Sequence, residues 1–235
     1  MSEYLRRGLR HSAAGLAIAA ACLASARASA TSGTWAIDAS ANWSDPTAWT
    51  SSPLIPNGVD ASAIFGDVIT APRTVTLDAP VTLGMLTIGR RYSYTLAGPA
   101  PLTFQTTAGP AQVAVYSNYE VLHTIAAPVV LHSDLVLDGD GALHMSNTIS
   151  GGGTLTKMGQ GGLRLTGDNS SWHGNIYVNS GNLLIGFYQP DNHSAVRALG
   201  TGTTTVASGG ELNISGLGSQ SPSADASNVC GATIV

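Results

Sequence analysis

The sequence predicts an all-β protein in which short strands stack as a coil, that is, a β-solenoid. Apolar residues recur in pairs with one small or polar residue between them, as in Ile176 and Val178. This period of two is typical of a strand with one buried face. Turns rich in glycine or asparagine separate the pairs, for example at residues 151–153, 159–162 and 167–169. No ten-residue amphipathic helix follows residue 30, so the predicted elements are strands.

Self-similarity within the chain favours a solenoid over a sandwich or a barrel, which regular short strands could equally build. Residues 174–185 read GNIYVNSGNLLI, and residues 202–214 read GTTTVASGGELNI. Both fit G-x-x-x-V-x-S-G, then one or two residues, then L-x-I, and Gly174 and Gly202 are 28 positions apart. A period between about 20 and 50 residues is the sequence signature of a solenoid.

The N-terminus has the organisation of an export signal. Arg6, Arg7 and Arg10 form a positive segment, residues 12–26 are rich in alanine and leucine, and Ala28-Ser29-Ala30 fits the small-residue cleavage pattern. The apolar run of about 15 residues is shorter than the roughly 20 that a membrane helix needs. We therefore expect the signal peptide to comprise residues 1–30.

Cys22 offers an alternative mode of processing. The stretch Ile18 to Cys22 loosely fits a bacterial lipoprotein box, in which Cys22 would become the lipidated first residue, but Ala19 stands where leucine is usual. Cleavage after Ala30 is the interpretation that the pattern favours. It leaves Cys230 as the single cysteine, so no internal disulfide can form.

Removal of the signal makes the chain more acidic. Four of the ten basic residues and one of the fourteen acids lie within residues 1–30, so six basic and thirteen acidic groups remain and the net charge becomes −7. Six scattered basic groups give no electrostatic footprint for nucleic acid or for an anionic membrane surface. Hydrophobic residues make up 43% of the sequence and occur in regular pairs, which argues against a disordered chain.

Residues 31–66 form a distinct opening segment with three tryptophans, Trp35, Trp43 and Trp49, and a Pro56-Asn57-Gly58 turn. The segment resembles the N-terminal unit that often precedes β-helical repeats in exported bacterial proteins. The first rung of a solenoid exposes an unpaired strand edge and an open apolar core, so large aromatic residues here predict a cap. The alternative is glycan binding, because exposed indole rings stack on sugars. Solvent accessibility of the three rings distinguishes the two.

Strand-like segments continue from residue 67 to residue 215 at intervals of about 5 to 12 residues, separated by Gly, Pro, Asn or Asp. We predict strands at residues 75–77, 81–83, 86–89, 94–96, 102–104, 113–115, 121–122, 129–131, 135–137 and 143–145. Residues 216–235 are expected to form a Gly/Ser-rich linker and the start of a truncated continuation.

The most specific pattern in the chain lies at residues 150–186. It reads G-G-G-x-L-x-K-x-G-x-G-x-L-x-L-x-G-x-N, followed by G-x-x-x-V-x-x-G-x-L-x-x-G. This pattern resembles the autotransporter-associated β-strand repeat, also called the passenger-associated transport repeat, of surface-exposed bacterial passenger proteins. Lys157 and Asn169 stand where that family usually has lysine and asparagine, whereas Trp172-His173 departs from the more usual Tyr-Thr or Tyr-Ser. Residues 198–215 resemble a partial second copy.

The resemblance implies a right-handed parallel β-helix in an exported or surface-displayed passenger or stalk, whose repeat assists transport and folding. It implies a location at the cell surface, in association with the outer membrane or outside the cell. The implied partners are the outer-membrane export machinery or cell-surface glycans. In this interpretation the repeat-defining residues are structural, and they are Gly153, Leu155, Lys157, Gly159, Gly161, Leu163, Leu165, Gly167, Asn169, Gly174, Val178, Gly181, Leu183 and Gly186.

Metal and cofactor patterns are weak. Asp138-Gly139-Asp140-Gly141 begins like a calcium loop, but the twelfth position, where calcium loops need an acid, is Ile149. The five histidines after residue 30 have no metal-ligand spacing, and neither a serine-nucleophile elbow nor a phosphate-binding loop occurs. We therefore predict no catalytic residue, no cofactor and no metal.

Two functional alternatives remain. An adhesin or glycan-binding module would use the three tryptophans and the tyrosines Tyr92, Tyr94, Tyr116 and Tyr119. A polysaccharide lyase or hydrolase would need paired carboxylates with a lysine or arginine to stabilise developing charge. The candidates for that site are Asp134, Asp138, Asp140, Lys157 and Arg164, which fall mostly in turn contexts and which the sequence cannot place on one face.

Overall fold

The computed structural model describes residues 30–89, 91–116, 121–186, 197–214 and 233–234, and these form a β-solenoid with three faces. Face I has nine strands: β1 (Gly33–Thr34), β3 (Ser62–Phe65), β6 (Met85–Ile88), β9 (Ala111–Val115), β12 (Leu135–Asp138), β15 (Leu155–Lys157), β17 (Ile176–Val178), β19 (Thr203–Val206) and β21 (Thr233–Ile234). Face II has eight strands: β2 (Ala41–Asn42), β4 (Arg73–Thr76), β7 (Tyr94–Ala97), β10 (Leu122–Ile125), β13 (Ala142–Met145), β16 (Gly162–Leu165), β18 (Gly181–Ile185) and β20 (Gly210–Ile214). Face III has four strands: β5 (Val81–Leu83), β8 (Leu102–Phe104), β11 (Val129–Leu131) and β14 (Ile149–Gly151).

From β3 to β14 the chain visits faces I, II and III in turn, and before β3 and after β14 it alternates between faces I and II. Within each face, neighbouring strands pair in parallel. The single described helix is a short 3-10 turn at Pro46–Ala48, which follows Asp45 as its N-cap. The prediction of an all-β coil of short strands is therefore confirmed. All ten strands predicted between residues 75 and 145 are present, with ends that differ by up to three residues.

Rung length is regular in the middle of the stack, and the rung that follows β18 is longer. On face II, Leu143 lies opposite Leu163, and Leu163 lies opposite Leu183, so one turn takes 20 residues. The internal repeat found in the sequence is confirmed as two stacked rungs, because Val178 pairs with Val206. The extra residue of the second copy lies in the following turn, since Gly181 then pairs with Gly210.

The core is a continuous column of inward-facing side chains. Alternate strand residues are buried, as in β5, β8 and β11, where the outer two residues of each strand are buried and the middle one is partly exposed. The inward positions are filled mainly by Leu, Val and Ile, whereas threonine is common on the outside. This matches the expected rule that stacked rungs bury one shared apolar core.

Two asparagines cover the edges of face III. At one edge, Asn57 Oδ1 accepts the backbone N–H of Thr82 at 2.8 Å. At the other edge, Asn169 Oδ1 accepts the backbone N–H of Ile149 at 2.6 Å. Side-chain amides thus replace the missing neighbouring strands and satisfy backbone groups that would otherwise lie open.

Candidate functional site

The three tryptophans of the opening segment close one end of the core. Trp35, Trp43 and Trp49 are only 1%, 1% and 2% exposed. Trp49 packs edge-on against Trp35 at 5.1 Å between ring centroids and lies 4.7 Å from Trp43. Phe65 of the next rung lies 5.5 Å to 5.7 Å from all three rings. The prediction of a tryptophan-rich cap is confirmed.

Hydrogen bonds fix two of these indoles in place. Trp43 Nε1 donates to the carbonyl of Pro56 at 2.9 Å, and Trp49 Nε1 donates to the carbonyl of Trp43 at 2.9 Å. The alternative use of this segment, glycan contact through Trp35, Trp43 and Trp49, has no support from the burial of these rings. Stacking on a sugar needs an exposed ring face, and these rings face the core.

An aromatic column continues from the cap into the core. Phe65 lies 5.0 Å from Tyr94, and Tyr94 is stacked on His123 at 6.4 Å. The hydroxyl of Tyr94 donates to the carbonyl of Gly66 at 2.8 Å, and the backbone N–H of Tyr94 donates to His123 Nδ1 at 3.1 Å. Burial raises the pKa of Tyr94. Burial also lowers the pKa of His123 to about 4, and a backbone hydrogen bond with Gly89 offsets only part of this decrease. Sequence patterns gave no sign of this role for His123.

The other proposed contact tyrosines differ from Tyr94 in exposure. Tyr94 is 1% exposed and cannot meet a ligand, whereas Tyr92 and Tyr116 are each 39% exposed. Tyr119 lies outside the described residues.

The repeat glycines stand where the backbones of adjacent rungs approach each other closely. A Cβ on Gly153, Gly161, Gly167 or Gly174 would lie well under 3.0 Å from a carbonyl oxygen of the preceding rung. Real Cβ atoms essentially never come that close, so only glycine fits these corners. The other three repeat glycines have a positive φ, which glycine adopts without steric cost: Gly159, Gly181 and Gly186.

Lys157, the only lysine of the chain, is fully buried at such a corner. Its Nζ donates to the carbonyls of Met158, of Gly159 at 3.0 Å, and of Ser180 on the next rung at 3.3 Å. Burial lowers the pKa of Lys157 to about 8, and the carboxylate of Asp138 opposes that shift. The amine therefore links two rungs from the inside.

Asn169 and Trp172 together replace the face III strand that this rung lacks. The Asn169 Nδ2 donates to the carbonyl of Ala198 at 2.6 Å, so with its bond to Ile149 the side chain spans three rungs. Trp172 is fully buried, and its Nε1 donates to the carbonyl of Gly153 at 2.9 Å. Trp172 thus fills the core at this turn. The repeat leucines and valine are buried inward-facing residues: Leu155, Leu163, Leu165, Val178 and Leu183.

Three of the five candidate enzymatic residues, Asp134, Asp138 and Lys157, have their polar groups bound within the fold. Asp134 accepts the backbone N–H of Thr154 at 2.8 Å, and Asp138 accepts that of Gly139 at 2.7 Å, so both carboxylates stabilise turns. The Lys157 amine is enclosed, and Arg164 lies on face II in strand β16. Within the described part of the chain, no three His, Cys, Asp or Glu side chains are grouped so that they could hold a metal ion.

The outer surface of face II carries a groove of about 330 Å³ that the sequence did not indicate. Its lining is small at Ala142 and Gly162 and polar at three positions, and the remaining lining residues are leucines: Leu122, Leu143, Leu163 and Leu184. The polar lining residues are Arg164, Asn182 and Asn213.

No family model, curated protein or solved structure matches the chain. Among the residues that the structure describes, no helix is long and apolar enough to cross a membrane.

Proposed function

We propose that this chain is an exported, surface-displayed β-solenoid that acts as a non-catalytic passenger or stalk. The observation that carries the proposal is the continuous stack of parallel strands, which starts at a closed aromatic cap and adds rung upon rung along one axis. Because each rung contacts only its neighbours, added rungs lengthen the solenoid along its axis. Such a rod holds its loops away from the surface to which it is attached.

The geometry of residues 150–186 supports a role for the repeat in transport and folding. Its glycine corners admit the backbone of the preceding rung, and Lys157 and Asn169 bind carbonyls of the following one. Each rung of this stretch therefore has a template 20 to 29 residues away, close enough for sequential addition without long loop closure. A chain that leaves the cell unfolded could rebuild the rod in that way.

The enzymatic alternative has less support, because two of the three candidate carboxylates are bound to backbone amides and the lysine amine is enclosed by carbonyls. The glycan-binding alternative based on Trp35, Trp43 and Trp49 also has less support, because these rings are buried in the core.

Display can be tested with an epitope tag inserted after Ala108, in the exposed turn at residues 107–110. We expect antibody to label intact bacterial cells that express the full chain, and we expect no label on intact cells that express residues 31–235. Intact mass of the exported form distinguishes cleavage after Ala30 from lipidation at Cys22. Labelling that requires permeabilised cells for both chains would contradict the proposal.

A further inference from the structure

The groove on face II results from two small residues in the middle of a column of larger ones. Outward-facing positions stack in register along the solenoid, with Leu122 opposite Ala142 and Gly162 opposite Asn182. Ala142 lies one rung before Gly162, since their neighbours Leu143 and Leu163 are paired. The column therefore falls from leucine to alanine to glycine and rises again to asparagine. This drop in side-chain size makes the floor of the groove.

Gly162 is not required by the packing of the solenoid. A Cβ at Gly162 would meet nothing within 4 Å, whereas a Cβ at the adjacent Gly161 would run into the carbonyl of Gly141. Gly162 also has no positive φ. Gly162 is the first residue of β16, and neither a close contact nor its backbone conformation explains glycine there. A strand glycine with open space above it leaves room for a ligand to approach the backbone closely.

Arg164 gives the groove its charge. On face II, the outward positions of the described strands β10 to β20 include two charged side chains, Arg164 in β16 and Glu211 in β20. Next to the arginine, His144 has a pKa lowered by burial and by the arginine itself, so this histidine is neutral at neutral pH. A guanidinium binds a carboxylate through two parallel N–H···O bonds.

The far end of the groove offers hydrogen-bonding groups of a different kind. Asn213 Nδ2 donates to Glu211 at 3.0 Å, and Asn182 Nδ2 donates to the same carboxylate at 3.3 Å. The carboxylate is thereby held in position to accept hydroxyl protons, and it would repel a second anion. The end near Arg164 favours a negative group, and the end near Glu211 favours neutral hydroxyl groups.

We propose that this groove binds a carboxylated oligosaccharide. The carboxylate lies on Arg164, the apolar face of a sugar ring lies on the floor at Gly162 and Ala142, and ring hydroxyls meet Asn182 and Glu211. From β10 to β20 the groove crosses four strand spacings, about 19 Å in all, which suits several pyranose rings in a row. An extended peptide fits less well, because the backbone groups of these strands are already paired with one another. Glycan binding by this groove is a function additional to surface display and does not depend on it.

The experiment uses the purified full chain and calorimetric titration with tetrasaccharides of galacturonate, glucuronate and mannuronate, each compared with its methyl ester. The ester keeps the ring and removes the charge. We expect at least one acid form to bind, and to bind at least tenfold more tightly than its ester. Arg164→Gln should weaken the acid form at least tenfold and leave the ester unchanged.

Gly162→Val tests the floor. The added side chain enters open space, so the urea midpoint should not fall, while binding of both sugar forms should be lost. Gly152→Val is the matched control, because Gly152 also has nothing within 4 Å of a Cβ and lies in the turn after face III. This control should bind as the unchanged chain does.

Several results would overturn the proposal. These are failure of all three acids to bind, equal affinity for acid and ester, and unchanged binding by a folded Gly162→Val variant. A self-association seen in sedimentation and abolished by Gly162→Val would instead assign the groove to contact between copies of this chain. Surface display is measured on cells and glycan binding on purified protein, so either proposal can fail without the other.

Discussion

The cap at residues 31–66 and the corners of the repeat at residues 150–186 are packed by different means. The cap uses side-chain volume: three indoles and Phe65 fill the end of the core, and short antiparallel bridges join Trp35 to Trp49 and Thr31 to Asn57. The repeat uses backbone proximity. Its glycine corners lie against carbonyls of the neighbouring rung, and polar side chains bind inside the turn.

The difference follows from rung length. Ala41 in the first rung pairs with Val75, 34 positions later, so these early turns include irregular segments that large side chains must cover. In the repeat the rungs take 20 or 21 residues, and corners stack directly upon corners. A side chain has no room at those points, and only glycine fits. A substitution that removes side-chain volume should therefore destabilise the cap, whereas a substitution that adds side-chain volume should destabilise the corners of the repeat.

The largest effect expected from this comparison is that of Trp49→Ala. The change empties a site packed against Trp35, Trp43 and Phe65 and removes a buried hydrogen bond, so the free energy of unfolding should fall by about 4 kcal/mol. Urea denaturation measures the loss. Tyr177→Ala, at a side chain 40% exposed, is the control and should change stability by less than about 0.5 kcal/mol.

Hydrogen exchange shows whether the cap is a separate source of stability. In Trp49→Ala, amides of β2 to β4 should exchange faster, while those of β15 to β18 should change little, because rungs interact mainly with their neighbours. Equal acceleration in both regions would show that cap and repeat unfold as one unit, and the contrast between them would then have no energetic meaning.

The next effect in size is that of Gly174→Ala. The new methyl group would overlap the carbonyl of Gly153 and approach Trp172 Nε1 to 2.6 Å, at the point where that indole makes its hydrogen bond. Overpacking of this kind should cost about 3 kcal/mol. Gly162→Ala is the matched control, since its Cβ meets nothing within 4 Å, and it should be neutral or stabilising. Similar losses in the two variants would mean that backbone proximity does not explain the repeat.

The sequence was sufficient for the strands and for the cap, for physical reasons. A strand with one buried face alternates in hydrophobicity, so Leu102 and Phe104 are recognisable without a structure. Three tryptophans within fifteen residues, ahead of any regular pattern, indicate a large apolar surface to be closed. Residue type alone does not indicate whether an indole ring is buried or exposed, so the sequence is compatible with both a cap and glycan contact for these tryptophans.

The groove and the corner chemistry could not be derived in the same way. Gly161 and Gly162 are adjacent and identical in type, yet one touches a carbonyl and the other faces open space. The difference depends on register between rungs, which a local pattern does not contain. The amine of Lys157 likewise reaches Ser180 across a turn. His123 gave no signal at all, because a lone histidine has no spacing to recognise.

His123 provides the smallest of the three tests, and it separates the aromatic column below the cap from the repeat by pH. Burial lowers the pKa of His123 to about 4, below the unfolded value of 6.5. Between these values the unfolded chain binds a proton that the folded protein does not, so stability is full above pH 6.5 and falls as the pH drops towards 4. From pH 7 to pH 5 the loss should be about 2 kcal/mol.

Urea denaturation between pH 7 and pH 5 measures how the free energy of unfolding depends on pH. The variant His123→Gln should flatten this dependence, and its side-chain amide oxygen can still accept the backbone N–H of Tyr94. His144 shifts in the same direction and leaves a residual slope. The lowered pKa values of Asp38, Asp78 and Asp168 act below their unfolded value of 3.8 and do not enter this window. A slope that survives His123→Gln unchanged would mean that the column does not hold this histidine neutral. If exchange at pH 5 rises in β7 and β10 but not in β15 to β18, the acid-sensitive part of the rod lies on the cap side.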